Sequence, residues 1–148
     1  MNSEELYNIL KQMAPTKYHV GVYACDKIPY FVSKPAALII NEDKSRMPGS
    51  HWVCIYINES GKGFFFDSYG RQPKLLIKLF ILRNCKSGTR NYFILQNVDS
   101  IVCGQYCILF LLYLIHNYCI HDFLNIFSID LVENDKIVRN LFKHYFIK

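Results

Sequence analysis

The sequence lacks several features that would place it in specialised classes of protein. A helix needs about 20 apolar residues to cross a bilayer, and no apolar stretch of the chain approaches that length, so we expect no membrane partner. The start of the chain, residues 1–5, is acidic and polar rather than basic and apolar, so no signal peptide or secretion is expected. Internal repeats, low-complexity tracts and linkers are also absent, which predicts a single domain over residues 1–148.

The cysteines lack the Cys-x-x-Cys spacing that is typical of zinc sites, so we predict no metal. Cys103, Cys107, His116 and Cys119 lie along one apolar segment, which indicates a buried helix rather than a ligand set. In a chain that is not secreted, six cysteines favour free thiols over disulfides. Three are expected to be small buried side chains: Cys25, Cys54 and Cys119.

Hydrophobic residues make up 51% of the chain and charged residues only 20%, which excludes a disordered protein. Their spacing predicts an α+β fold, in which a small mixed sheet packs against a buried central helix. Helices are predicted at 3–13 with Ser3 as the cap, at 75–82, from Cys103 to Ile115, at 122–127 and at 134–146. Strands are predicted at 36–40, at 52–57 and 63–67 as a hairpin, and at 91–96.

Cys103 lies at the start of the longest apolar run, on the first turn of the predicted central helix. Unpaired backbone N–H groups and the helix dipole favour the thiolate there, and the thiolate is the nucleophilic form. His51 precedes one predicted strand, Asp67 ends another, and Gln96 comes seven residues before Cys103. Histidine, acid, glutamine and cysteine in this order indicate thiol catalysis.

Each of these four residues has a defined chemical task in such a site. Cys103 would attack a carbonyl carbon, while His51 would accept its proton and later donate one to the leaving amine. Asp67 would orient the imidazole and stabilise the imidazolium. The Gln96 amide and the Cys103 backbone N–H would bind the oxyanion, a donor worth about 3 kcal/mol.

Each residue taken alone also has an ordinary structural interpretation. His51 alone is more often a surface histidine, Asp67-Ser68 has turn chemistry, Gln96 could end a strand, and Cys103 could be a core thiol. The joint order and spacing favour catalysis over these alternatives.

The same residues carry a family resemblance over most of the chain. Gly49-Ser50-His51-Trp52, Phe66-Asp67-Ser68-Tyr69-Gly70, and Gln96 followed by Cys103-Gly104 resemble the adenovirus endopeptidase family of cysteine proteases. That family belongs to the clan that includes the ubiquitin-like-protein proteases. One departure is Asp67-Ser68, where the adenovirus enzymes carry Glu-Pro. The chain's small size and composition would suit an origin in a virophage or a virus-like transposon as well as in an adenovirus.

The resemblance implies a maturation endopeptidase that cuts viral capsid and core precursors at glycine-containing sites. We expect it as a monomer in the virion and in the nucleus or cytoplasmic virus factory of the infected cell. The substrate cleft would be formed by Gly49, Ser50, Trp52 and Gly104. Two alternatives remain: a protease that removes ubiquitin-like or SUMO-like tails, and a non-enzymatic DNA-binding or virion structural protein on a protease scaffold.

A basic stretch adds a possible nucleic-acid surface. No acidic residue occurs from Ser68 to Val98, yet six basic residues do: Arg71, Lys74, Lys78, Arg83, Lys86 and Arg90. A patch of one sign attracts phosphate backbones, although a solvated helix face is an equal alternative. The resemblance implies viral DNA and an activating peptide as cofactors. Cys85, eleven residues before Gln96, resembles the family's cysteine that bonds this peptide.

Overall fold

The computed structural model describes residues 1–148 and confirms the predicted α+β class, with five helices and five strands. The helices are α1 (Ser3–Met13), α2 (Leu75–Asn84), α3 (Cys103–Ile115), α4 (Ile120–Leu124) and α5 (Leu131–Phe146). The strands are β1 (His19–Ala24), β2 (Ala36–Asn41), β3 (Trp52–Ile57), β4 (Lys62–Phe66) and β5 (Ser87–Arg90). None of the helices is both long and apolar enough to cross a membrane.

The five strands form one mixed sheet in the order β1-β2-β3-β4-β5. The two outer pairs are parallel, whereas β3 runs antiparallel to both β2 and β4. Because Cys54 pairs with Phe66, the beginning of β3 and the end of β4 meet at the same end of the sheet. His51 and Asp67, which adjoin these two strand ends, are therefore brought together by register.

Both faces of the sheet are covered, which explains the continuous apolar sequences of β2 and β3. On β2, Ala37 and Ile39 face the core shared with α1, α3, α4 and α5, whereas Leu38 and Ile40 face α2. All six residues of β2 are buried. A strand buried on both faces reads as an apolar run rather than an alternating one.

Helix α3 is the central helix that the sequence predicts, with ten of its 13 residues buried. Its Phe110 ring stacks on Phe66 of β4 with ring centroids 4.6 Å apart, and Phe123 of α4 meets both rings edge-on. This aromatic cluster fixes α3 against the sheet, so the helix presents its first residue, Cys103, at the sheet end where His51 lies.

The strand predicted at 91–96 is wrong, because those residues form an irregular segment. Its backbone N–H groups at Leu95 and Gln96 donate to Ser68 O rather than to a neighbouring strand. The actual edge strand, β5, precedes it and pairs in parallel with β4. The sequence also shows no sign of β1, which is placed by its parallel pairing with the buried β2.

Two smaller predictions are also corrected. The cap of α1 is Asn2 rather than Ser3, since Asn2 Oδ1 accepts the Glu5 N–H at 2.9 Å and the Glu5 carboxylate accepts the Asn2 N–H. Cys119 is exposed rather than buried, because it lies in the turn before α4 and precedes its first residue.

Candidate active site

A cleft of about 700 Å3 opens at the sheet end where β3 begins. His51, Gln96 and Cys103 line it, although they come from the start of a strand, a loop and the start of a helix. Three of the four residues expected to form the substrate cleft also line it, namely Gly49, Ser50 and Trp52. The structure therefore brings together residues that lie far apart in the sequence.

The His51 imidazole is held between Asp67 and Tyr69. His51 Nε2 lies 2.7 Å from Asp67 Oδ1, and the Asp67 side chain is fully buried. The Tyr69 ring stacks on the imidazole with centroids 4.6 Å apart, while the Tyr69 N–H donates to the same Asp67 oxygen at 2.9 Å. With Nε2 engaged, Nδ1 is the ring nitrogen left to meet Cys103, which lines the same cleft and helps to raise the pKa of His51.

Cys103 combines burial with an environment that favours the thiolate. Burial by itself raises the pKa of this thiol, but the hydrogen bond to His51 and the backbone N–H groups of Trp52 and Gly104 outweigh it and lower the pKa below its ordinary value. The Gly104 N–H belongs to the first turn of α3, where orphan donors and the helix dipole stabilise an anion.

The pKa of His51 shifts in the direction that completes an ion pair. Burial lowers this pKa, but hydrogen bonds to Asp67 and Cys103 raise it to about 9. Burial likewise raises the pKa of Asp67, and the hydrogen bonds from His51 and from the Tyr69 N–H bring it below its ordinary value. Carboxylate, imidazolium and thiolate are therefore mutually stabilised at neutral pH.

Gln96 lies in the same cleft, but its side-chain amide is bonded within the protein. Gln96 Oε1 accepts the Ser68 hydroxyl at 2.6 Å, which fixes the orientation of the amide. Its Nε2 lies 3.0 Å from both the backbone oxygen and the hydroxyl of Ser100. One N–H would have to turn from Ser100 towards the cleft to bind an oxyanion, so that role stays a prediction.

Gly104, the fourth residue expected in the substrate cleft, does not line it and instead packs closely against neighbouring side chains. A Cβ placed on Gly104 would lie 3.3 Å from Leu6 Cδ2 and 3.6 Å from both Met1 Cβ and Trp52 Cδ1. The Trp52 indole N–H donates to the Met1 carbonyl oxygen at 3.2 Å, which joins two of the residues that line the cleft. Gly49 adopts a φ of +93°, a left-handed conformation that favours glycine, where the chain turns into the cleft.

Sequence reasoning missed the start of the chain as part of this cleft. Met1, Asn2 and Ser3 line it beside Cys103 because the first turn of α1 packs against Gly104. No local pattern in the sequence signals a contact between residues separated by a hundred positions. Tyr69 was also missed as a partner of His51, although its position two residues after Asp67 was a usable signal.

Within the basic stretch, the arginines and the lysines differ in their contacts. Its three arginines have intramolecular partners: Arg71 pairs with Asp67 and Glu42, Arg83 donates to Tyr30 O, and Arg90 donates to the carbonyl oxygens of Gly70 and Asn91. The three lysines are exposed: Lys74, Lys78 and Lys86. Of the lysines, Lys74 lies 3.9 Å from Glu42, whereas no ion pair is found for Lys78 or Lys86.

Cys85 caps the C-terminal end of α2, outside the cleft. It is half-buried against Gly63, and burial raises the pKa of its thiol above the ordinary value. This environment disfavours the thiolate that disulfide exchange requires, and the proposed bond to an activating peptide stays a prediction.

Comparison with known proteins identifies the fold at low sequence identity. No protein-family model matches the chain, and no curated protein matches it significantly. The ASFV pS273R protease superposes with a TM-score of 0.66 at 16% identity, over 80% of this chain and 58% of that one. The SUMO protease Ulp1 superposes with a TM-score of 0.56 at 12% identity, over 94% of this chain and 74% of that one.

These two similarities show that the chain has the fold of the SUMO-protease-like cysteine proteases. The chain spans little more than half the length of the ASFV protease, so the two proteins are not equivalent over their whole lengths. Neither neighbour is an adenovirus enzyme, and the closer resemblance to the adenovirus family stays a prediction from the sequence motifs.

Proposed function

We propose that the protein is a cysteine endopeptidase. The observation that carries this proposal is the arrangement of His51 between the buried Asp67 carboxylate and the Cys103 thiol at the start of a buried helix. The fold supports it, because both neighbours are proteases and the SUMO protease Ulp1 has a catalytic cysteine. An intact set of four residues disfavours the alternative of a non-enzymatic protein on the same scaffold.

The geometry supports a two-step hydrolysis. Cys103 Sγ attacks the scissile carbonyl carbon, and the resulting oxyanion is bound by the Cys103 N–H and by one Gln96 N–H that turns from Ser100 towards the cleft. Collapse breaks the C–N bond while the His51 imidazolium donates its proton to the leaving amine. His51 then takes a proton from water, whose oxygen displaces the Cys103 thiolate from the acyl intermediate.

We propose substrates with glycine next to the scissile bond, as the resemblance to the adenovirus endopeptidase family implies. Met1 and Trp52 line the cleft beside Cys103 and would contact the residues next to the scissile bond. We propose viral capsid and core precursors as substrates, cleaved in the virion and in the nucleus or virus factory. The sequence motifs and the similarity to the ASFV protease support this choice. The SUMO protease fits the fold as well, so removal of a ubiquitin-like tail is the second candidate.

Two fluorogenic substrates separate these candidates. One is a short internally quenched peptide containing Gly-Gly, and the other is a folded ubiquitin-like protein that ends in Gly-Gly joined to a fluorophore. We expect an endopeptidase to cleave the short peptide and to lose at least tenfold in kcat/KM when each glycine is replaced by leucine. Strong preference for the folded substrate would instead establish the deconjugating activity. Cleavage of neither would contradict the proposal.

Duplex DNA is a proposed partner of the three exposed lysines. We expect Lys78→Glu with Lys86→Glu to weaken binding to DNA of unrelated sequences by on the order of tenfold in 50 mM salt. The slope of log affinity against log salt should become less negative by about 0.9 per lost phosphate contact. Fluorescence anisotropy measures both quantities, with Lys136→Glu with Lys143→Glu on α5 as a matched charge control. If the control pair weakens DNA binding equally, the effect comes from net charge and not from a specific DNA-binding surface.

A further inference from the structure

Arg71 and Glu42 form a charge bridge beside Asp67, in which Glu42 is buried and Arg71 is half exposed, and the chemistry proposed above leaves both of them without a task. Arg71 Nε donates to Asp67 Oδ2 at 3.0 Å, while its terminal Nη2 donates to Glu42 Oε1 at 2.8 Å. The Glu42 side chain is only 3% exposed. The Arg71 guanidinium pairs with both buried carboxylates, Glu42 and Asp67. This pairing matters because a buried carboxylate without a partner is strongly destabilising.

The two oxygens of Asp67 therefore have separate partners. Oδ2 is held by Arg71, whereas Oδ1 accepts from His51 and from the Tyr69 N–H. The Asp67 backbone is fixed independently by Asn91, whose side chain bonds both the N–H and the carbonyl oxygen of Asp67. Arg71 is thus the only residue whose side chain donates to Asp67 Oδ2, and this bond fixes the rotation of the carboxylate.

Glu42 is in turn tied to the histidine that Asp67 orients. The Glu42 N–H donates to the His51 carbonyl oxygen at 3.0 Å, so Glu42 and His51 occupy neighbouring positions beyond the ends of β2 and β3. Arg71 also lies over the Tyr69 ring, 5.2 Å from its centroid, on a ring that stacks on His51. Lys74 is the other cation near Glu42, at the longer distance of 3.9 Å.

We propose that Arg71, anchored by Glu42, is a positioning residue that locks the Asp67 carboxylate so that Oδ1 faces His51 Nε2. This inference rests on the proposed protease function, and the DNA-binding role expected for Arg71 stays a prediction. Without the guanidinium, Asp67 would rotate and bind a proton more readily, so the imidazolium would be less stabilised. The Cys103 thiolate, which depends on that imidazolium, would then form only at higher pH.

The test compares Arg71→Gln and Arg71→Lys with Arg139→Gln, an exposed arginine on α5. For Arg71→Gln we expect kcat to fall by about tenfold or more with KM nearly unchanged, and the acid limb of kcat/KM to move up by about one pH unit. Arg71→Lys should restore the position of the acid limb while recovering kcat only in part, since lysine keeps the charge but not the fork of donors. Arg139→Gln should change neither.

A second measurement needs no peptide substrate. The rate at which iodoacetamide alkylates Cys103, followed by mass spectrometry as a function of pH, should show the same upward movement of the acid limb in Arg71→Gln. Loss of thermal stability with an unmoved alkylation profile would overturn the proposal and leave Arg71 a structural residue. A wild-type protein that alkylates as expected but cleaves no peptide would overturn the protease function instead.

If Arg71→Gln does not fold, Glu42→Gln provides the same test with the guanidinium retained. It should move the acid limb in the same direction by a smaller amount, because Arg71 loses its anchor but not its charge. In folded protein, an unmoved acid limb in Glu42→Gln would overturn the role of the bridge.

Discussion

Replacing Cys103 with alanine is expected to abolish peptide hydrolysis, lowering kcat by on the order of 10^6-fold while the fold survives. The loss is large because no other thiol has both an acid–base partner and access to the cleft. Cys54 and Cys107 are fully buried, and burial raises the pKa of Cys107 well above its ordinary value. Turnover of the quenched peptide and the thermal midpoint by circular dichroism measure the two parts of this prediction.

Thiol labelling tests the same assignment in the unmodified protein. At neutral pH, iodoacetamide should label Cys103 faster than Cys119, although Cys119 is exposed and Cys103 is nearly buried. This comparison separates activation from exposure, because the thiolate is the reactive form and the activating hydrogen bond from His51 belongs to Cys103 alone. Faster labelling of Cys119, or hydrolysis that survives Cys103→Ala, would remove Cys103 as the nucleophile.

The parts of the fold that could be predicted are those with a strong local signal. Strand β3 and helix α3 are apolar runs in which most residues are buried, and their boundaries match the expectation closely. His51 and Asp67 adjoin the paired strands β3 and β4, so a correct hairpin was sufficient to place them side by side. To place Cys103, it was sufficient to predict where α3 begins.

The parts that could not be predicted depend on partners distant in sequence. Strand β5 is short and polar, and its parallel pairing with β4 has no local signature. Arg71 looked like one member of a basic patch, because nothing local shows that a buried Glu42 lies beside it. The contact of Met1 with Trp52 is likewise a product of tertiary packing between α1 and β3.

The site combines burial and charge in a way that sets its sensitivity to mutation. Asp67 is fully buried and His51 nearly so, and isolated charges in such places are strongly disfavoured. Each is tolerated because the next group in the series, from Glu42 through Arg71 and Asp67 to His51 and Cys103, carries the opposite charge. Removing one member should therefore alter the protonation of its neighbours and not only their positions.

Replacing His51 with alanine is accordingly expected to be nearly as damaging as the loss of Cys103, since members of one catalytic unit are not additive. In the proposed mechanism the imidazole accepts the thiol proton, and it also lowers the pKa of Cys103. Without it, burial becomes the dominant influence and Cys103 stays a thiol at neutral pH. Turnover should fall by on the order of 10^6-fold, and Cys103 alkylation should slow in parallel. The exposed His144→Ala is the matched control and should change neither rate.

Asp67→Asn should cost less, up to about 10^4-fold in kcat, because it mis-orients the imidazole without removing it. The Asp67→Asn substitution should also change the pH dependence of kcat/KM. The hydrogen bond to Asp67 helps raise the pKa of His51 to about 9, whereas burial opposes it, so losing the carboxylate lowers this pKa. The alkaline limb of kcat/KM should then move to lower pH, because the imidazolium deprotonates earlier. A larger loss from Asp67→Asn than from His51→Ala, or an unmoved alkaline limb, would contradict the order Cys103–His51–Asp67.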